Sequence, residues 1–147
     1  MSRPIRQEQG SILIETLIGI LIFSIGLLAM VGLQADAIKN TSEALYRAQA
    51  SYLAEQIIGF MWADRDQLGT FAHHPNTGTV CAPQGPASTN PTVTSWLNEV
   101  SLNLPNAGAS KQRIYIGSAN LVNITLCWQG PEDPAPHQFT TTVQIGG

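Results

Sequence analysis

Residues 12–33 read ILIETLIGILIFSIGLLAMVGL, a run of 22 residues with one ionisable side chain, Glu15. As a helix this run is about 33 Å long, enough to cross a hydrocarbon core of ~30 Å. A core helix of a soluble protein would carry a polar stripe at helical spacing. Here only Glu15, Thr16 and Ser24 interrupt the apolar surface. Arg3 and Arg6 precede the run, and the charges of Asp36 and Lys39 cancel beyond it. The positive-inside bias therefore places the N-terminus in the cytoplasm and everything after Leu33 across the membrane. A cleaved secretory signal is the competing reading, because Ala35-Asp36-Ala37 has the small-x-small pattern. Secretory apolar regions span only ~7 to 15 residues, which disfavours it.

The rest of the composition follows from this. Charged residues make up 12% of the 147, about half the ~25% usual in a soluble domain. A 44% hydrophobic content excludes disorder of the whole chain. A net charge of −3 with no basic stripe excludes nucleic acid as an expected partner. The length allows one ordinary domain or a small domain with an accessory segment.

An ionised residue at the centre of a membrane helix costs on the order of 2.5 to 3.5 kcal/mol, and less near the interface. Glu15 therefore needs a partner, unless it is simply an interfacial acid near the positive end of the helix macrodipole. Its setting is specific: a short basic leader, Gly10, Ser11, then the acid four residues on. The segment GSILIETLIGILIF resembles the class III signal of type IV prepilins. That resemblance implies cleavage after Gly10 by a prepilin peptidase, methylation of the new amino terminus at Ser11, and an assembly role for Glu15 as the fifth residue of the mature chain. Most members carry Phe where this chain has Ser11.

Elementary electrostatics gives that spacing a purpose. Cleavage creates an α-amine with an unperturbed pKa of ~7.7 to 8.0 at the start of a helix whose fifth residue is a carboxylate. The amine of an axially displaced neighbouring subunit would neutralise Glu15 and set helix register. Gly19, Gly26 and Gly32 suit ordinary close helix packing, or mark places where a membrane helix is weak.

Beyond the apolar run the density of charge becomes ordinary, with eight charges in residues 35–66. Ile38, Leu45, Tyr52 and Phe60 recur at helical spacing, and Tyr46, Leu53, Ile57 and Met61 widen the same face. Lys39, Glu43 and Arg47 alternate in sign at four-residue steps, each pair adding a few tenths of a kcal/mol. No proline lies between Pro4 and Pro75. One helix from residue 12 to about residue 64 is expected.

Residues 67–147 hold only five charges: Glu99, Lys111, Arg113, Glu132 and Asp133. A Gly/Pro-rich loop over 69–91 precedes a short helical pattern through Val93, Trp96, Leu97, Val100 and Leu104. Strands are expected at 113–116, 121–128 and 139–145, with Val122, Ile124, Leu126 and Trp128 on one face. A three- or four-stranded antiparallel sheet would pack on the helix. Cys81 and Cys127 fall in the part placed outside the cytoplasm, where a disulfide is expected over two free thiols.

The segments LIETLIGILIFSIGLLAMVGLQ, SYLAEQII, WLNEVSLNLP and VNITLCWQ are together similar to the minor pilins of the PilV kind, the type IV pilus modification proteins. The resemblance implies an α+β fold, a pilin-like ladle whose long N-terminal transmembrane helix continues into a small head with an antiparallel β-sheet. Its divisions are a leader (1–10), a transmembrane and assembly helix (11–34), an amphipathic continuation (35–66) and a periplasmic head (67–147). It further implies a single-pass protein of the bacterial inner membrane that then enters the pilus, at or near the tip. The implied role is to initiate or modify assembly, with other minor pilins, the major pilin, a tip adhesin and the inner-membrane assembly platform as partners, and to take part in adhesion. A type II secretion pseudopilin and a membrane-tethered periplasmic binding protein remain as alternatives.

No catalytic constellation stands out and no cofactor is expected. His73, His74 and Cys81 could be written as metal ligands, but adjacent histidines lack the usual spacing of a tetrahedral site. Glu55, Asp64 and Asp66 read as a solvated helix end beside Arg65, with no paired-acid geometry.

Overall fold

The computed structural model describes residues 9–131 and 133–146. The leader residues 1–8, with Arg3 and Arg6, and Glu132 lie outside the described residues. The chain is α+β: one long helix, α1 (Gln9–Ala63), followed in sequence by a small antiparallel-sheet head. Two compact units meet within α1, the first ending at Glu43 and the second running from Ala44 onward.

In the first unit the helix is uniformly exposed over residues 11–34, and α1 is long and apolar enough to cross a membrane. Its hydroxyls are satisfied internally. Thr16 donates to the Ile12 carbonyl, and Ser24 donates to the Ile20 carbonyl at 2.7 Å. Such back-bonding lets a hydroxyl sit in an apolar helix without an orphaned donor.

The second unit is built around the last turns of α1. Asp64 then leaves helical geometry, and a 3-10 segment (Arg65–Phe71) carries the chain away. A hairpin follows, β1 (Asn76–Thr79) and β2 (Ala82–Gln84), where sequence alone suggested only a loop. Gly78 is required there: a Cβ would stand 2.0 Å from the Ala82 carbonyl oxygen. Helix α2 (Pro91–Asn103) starts where Asn90 accepts from the Thr92 N–H at 2.9 Å with Pro91 in the first turn, and stops where Leu104 turns extended before Pro105.

The sheet has the order β3 (Arg113–Ile116), β4 (Leu121–Trp128), β5 (His137–Gln144), all antiparallel. Val122, Ile124, Leu126 and Trp128 are buried, joining Ile114, and Ile145 just after β5, in one cluster with α2 and the end of α1. Trp96 is at its centre, and its indole N–H donates to the Leu53 carbonyl at 2.8 Å, tying α2 to α1.

The helix face agrees with the expectation at Leu53, Ile57 and Met61, with Tyr46 partly buried, and departs from it elsewhere. Ala50, Leu53, Ala54, Ile57 and Met61 form the buried stripe, whereas Ile38, Leu45, Tyr52 and Phe60 are 68, 54, 63 and 43% exposed. The short side chains of Ala50 and Ala54 complete the buried flank.

Gln112 replaces a missing strand pair. Its side-chain oxygen accepts from the Cys127 N–H at 2.8 Å, and its amide donates to the Cys127 and Gly108 carbonyls at 3.0 and 3.1 Å. Gln112→Leu strands the buried N–H and carbonyl of Cys127 at ~1 to 3 kcal/mol each, while the Gly108 carbonyl keeps the Lys111 N–H. The expected outcome is a loss of about 2 to 4 kcal/mol, measured by denaturant unfolding of the full chain in detergent. A loss below about 0.5 kcal/mol, the scale of an ordinary surface change, would contradict this role.

Candidate assembly site on the N-terminal helix

The sequence-predicted site residues fall into two groups. Gly10, Ser11 and Glu15 are in the first turns of α1, and Cys81 and Cys127 are in the head. Ser11 and Glu15 are four residues apart, so they share one helix face. Ser11, Ile14, Glu15 and Ile18 line one open concavity on the helix surface. This is an apolar rim with one hydroxyl.

Among the described residues, Thr16 and Ser24 have intrahelical partners, whereas nothing hydrogen-bonds or pairs with Glu15. Its side chain is exposed beside large apolar neighbours: Ile12, Leu17 and Ile18 are themselves open. In water such a carboxylate is satisfied by solvent. In a hydrocarbon layer the alternatives are protonation or an external cation. Chemically the site offers one carboxyl group in an apolar frame in the first turns of α1, a group that can accept from a compact ammonium.

Cys81 and Cys127 are joined in a disulfide with Cα atoms 5.6 Å apart. The bond pins the tip of the β1–β2 hairpin to the central strand, from the side of the sheet opposite the core. Cys81 is thereby committed, and the two adjacent histidines are too. His73 accepts from the Ser88 N–H at Nδ1 (3.1 Å), while its Nε2 lies 3.0 Å from the Ala109 carbonyl. His74 Nδ1 lies 2.8 Å from the Gly85 carbonyl. Among the described residues no group of three His, Cys, Asp or Glu could hold a metal.

With Nδ1 accepting, the His73 proton is on Nε2, and a second proton would point at the Ser88 N–H. Burial lowers its pKa below 6.5, His74 lowers it further, and the Ala109 hydrogen bond acts in the opposite direction. The neutral form is therefore the folded form, and the unfolded chain binds the proton more readily. Stability is highest above pH 6.5 and falls as pH drops from there through the lower native value. His73→Gln is expected to flatten that slope in pH-dependent unfolding; an unchanged slope would contradict it.

Sequence reasoning missed Gln112, whose burial only the fold reveals. No protein-family model, curated protein or solved structure matches this chain.

Proposed function

We propose that this chain is a minor pilin of a type IV pilus, cleaved after Gly10, methylated on Ser11, and built into a tip or priming complex through Glu15. The single observation that carries the proposal is the Glu15 carboxylate, without a partner among the described residues, on an otherwise apolar, exposed membrane-length helix. A fibre of staggered helices supplies what the isolated helix lacks: apolar neighbours for residues 12–33 and an amine for Glu15. The α-amine of another subunit is compact, cationic and located at a helix start, so one contact both neutralises the acid and fixes the axial step. Major and minor pilins are the partners this contact implies, and the peptidase and inner-membrane platform are the machinery it requires.

The head fits this role through its low charge. With five charges in residues 67–147, it can press against sibling heads at little desolvation cost. Deletion of the coding sequence in the native host tests the reading. The expected result is loss or shortening of surface fibres with protein secretion intact. Loss of secretion with fibres unchanged would move the chain to a type II secretion pseudopilus.

A further inference from the structure

The two cations of a nearly uncharged head point to a ligand. Between residues 67 and 147 the sequence has one Lys and one Arg. Both line the same groove, of about 220 Å³, between the disulfide-pinned hairpin and the outer face of the sheet. Among the described residues the head's acids are elsewhere. Glu99 is on α2, accepting from Gln56 at 3.0 Å, and Asp133 is in the β4–β5 connection, accepting from the Gly130 N–H at 2.9 Å.

The cations are held in place without being neutralised. Lys111 Nζ donates to the Asn106 carbonyl at 2.7 Å, using one of its three donors. Arg113 donates through Nε and Nη2 to the Pro75 carbonyl at 3.2 and 3.0 Å, and through Nη1 to Asn123 Oδ1 at 3.3 Å. All these acceptors are neutral oxygens, so both positive charges remain available to an anion. Around them the groove presents Thr77, Thr79, Thr125 and Gln138, hydroxyl and amide groups that both donate and accept. Val80, 66% exposed, adds an apolar edge.

We propose that this groove binds the carboxylate-bearing sugar unit of an acidic polysaccharide. The carboxylate meets Lys111 and Arg113, the ring hydroxyls meet the threonines and Gln138, and the apolar ring face covers Val80. The volume, below the ~300 to 1,000 Å³ of pockets for drug-sized ligands, suits one ring, and an open groove lets the chain continue on both sides. The disulfide pins the hairpin wall to the central strand.

The test is a titration of the isotope-labelled full chain in detergent micelles at fixed ionic strength, followed by amide shifts. The probes are sodium glucuronate, glucose and sodium sulfate. Glucuronate is expected to shift the Thr79, Thr125 and Gln138 amides with weak, about millimolar affinity, and glucose to bind at least about tenfold more weakly. Lys111→Gln is expected to weaken glucuronate about tenfold while the β3–β5 amide pattern stays in place; Lys111→Met, which keeps the aliphatic stem, serves if that variant fails to fold. Equal binding of glucose and glucuronate, binding of sulfate alone, no shift with glucuronate, or an unweakened Lys111 variant would each overturn the proposal.

Discussion

Glu15→Ala is expected to leave the chain synthesised, inserted and cleaved, yet absent from purified fibres. The substitution removes the only ionisable group of residues 12–33, so insertion becomes easier. It does not touch Gly10 or Ser11, so the cleaved bond keeps its flanking residues. Under the proposed role, what it removes is the reward for assembly. A subunit amine brought into apolar surroundings without its acid is a buried, uncompensated charge, for which ~3 to 5 kcal/mol is the usual cost. That corresponds to a drop in incorporation of at least about a hundredfold. Glu15→Asp, which keeps the charge on a shorter stem, is expected to recover part of it, and Glu15→Gln very little. Quantitative immunoblotting of sheared fibres against membrane fractions separates the outcomes. Wild-type amounts of Glu15→Ala in the fibre would remove the salt bridge from the account.

The second large effect is in the head. Removing the disulfide in the double variant Cys81→Ala, Cys127→Ala frees a loop with a sequence separation of 46 residues. Chain entropy assigns such a loop about 4 kcal/mol, a large share of the ~5 to 15 kcal/mol that holds a typical domain folded. At ~4 to 8 °C per kcal/mol for a domain of this size, the melting temperature should fall by ~15 to 30 °C. The hairpin depends on the bond most directly, since β1 and β2 are exposed and add few apolar contacts of their own. The groove beneath it should therefore open before the β3–β5 sheet melts. Calorimetry in detergent measures the first, and amide exchange at Thr77 and Thr79 against Ile124 measures the second. A shift of only a few degrees would show that the hairpin is held by other means.

Much of this architecture is legible in the residues, for reasons that differ by element. Strands β3 and β4 follow from alternation and β-branched content, and the observed bounds, Arg113–Ile116 and Leu121–Trp128, match the expected 113–116 and 121–128. The membrane-length helix follows from composition alone. Hairpin β1–β2 was hidden because its residues are Thr, Asn, Gly, Pro, Ala and Gln without apolar alternation; its register depends on a backbone approach that only Gly78 permits. The buried stripe of α1 was legible at Leu53, Ile57 and Met61 but not at Ala50 and Ala54, whose small side chains carry little apolar signal.

The candidate site divides the same way. Glu15 stands out because a carboxylate in an apolar run is expensive wherever the chain folds. The role of Gln112 depends on three carbonyl and amide groups brought together from Gly108 and Cys127, which no local pattern reveals. The convergence of Lys111 and Arg113 on one groove depends on the hairpin wall opposite, which no local pattern reveals.

The central claim is that residues 1–10 are a leader removed to expose an amine for Glu15. Intact-mass and N-terminal peptide mass spectrometry of the protein from native membranes tests it most directly. The account predicts a chain beginning at Ser11 with a methylated α-amine. A mature chain that begins at Met1, or at Ile38 after a secretory cut following Ala37, would contradict it.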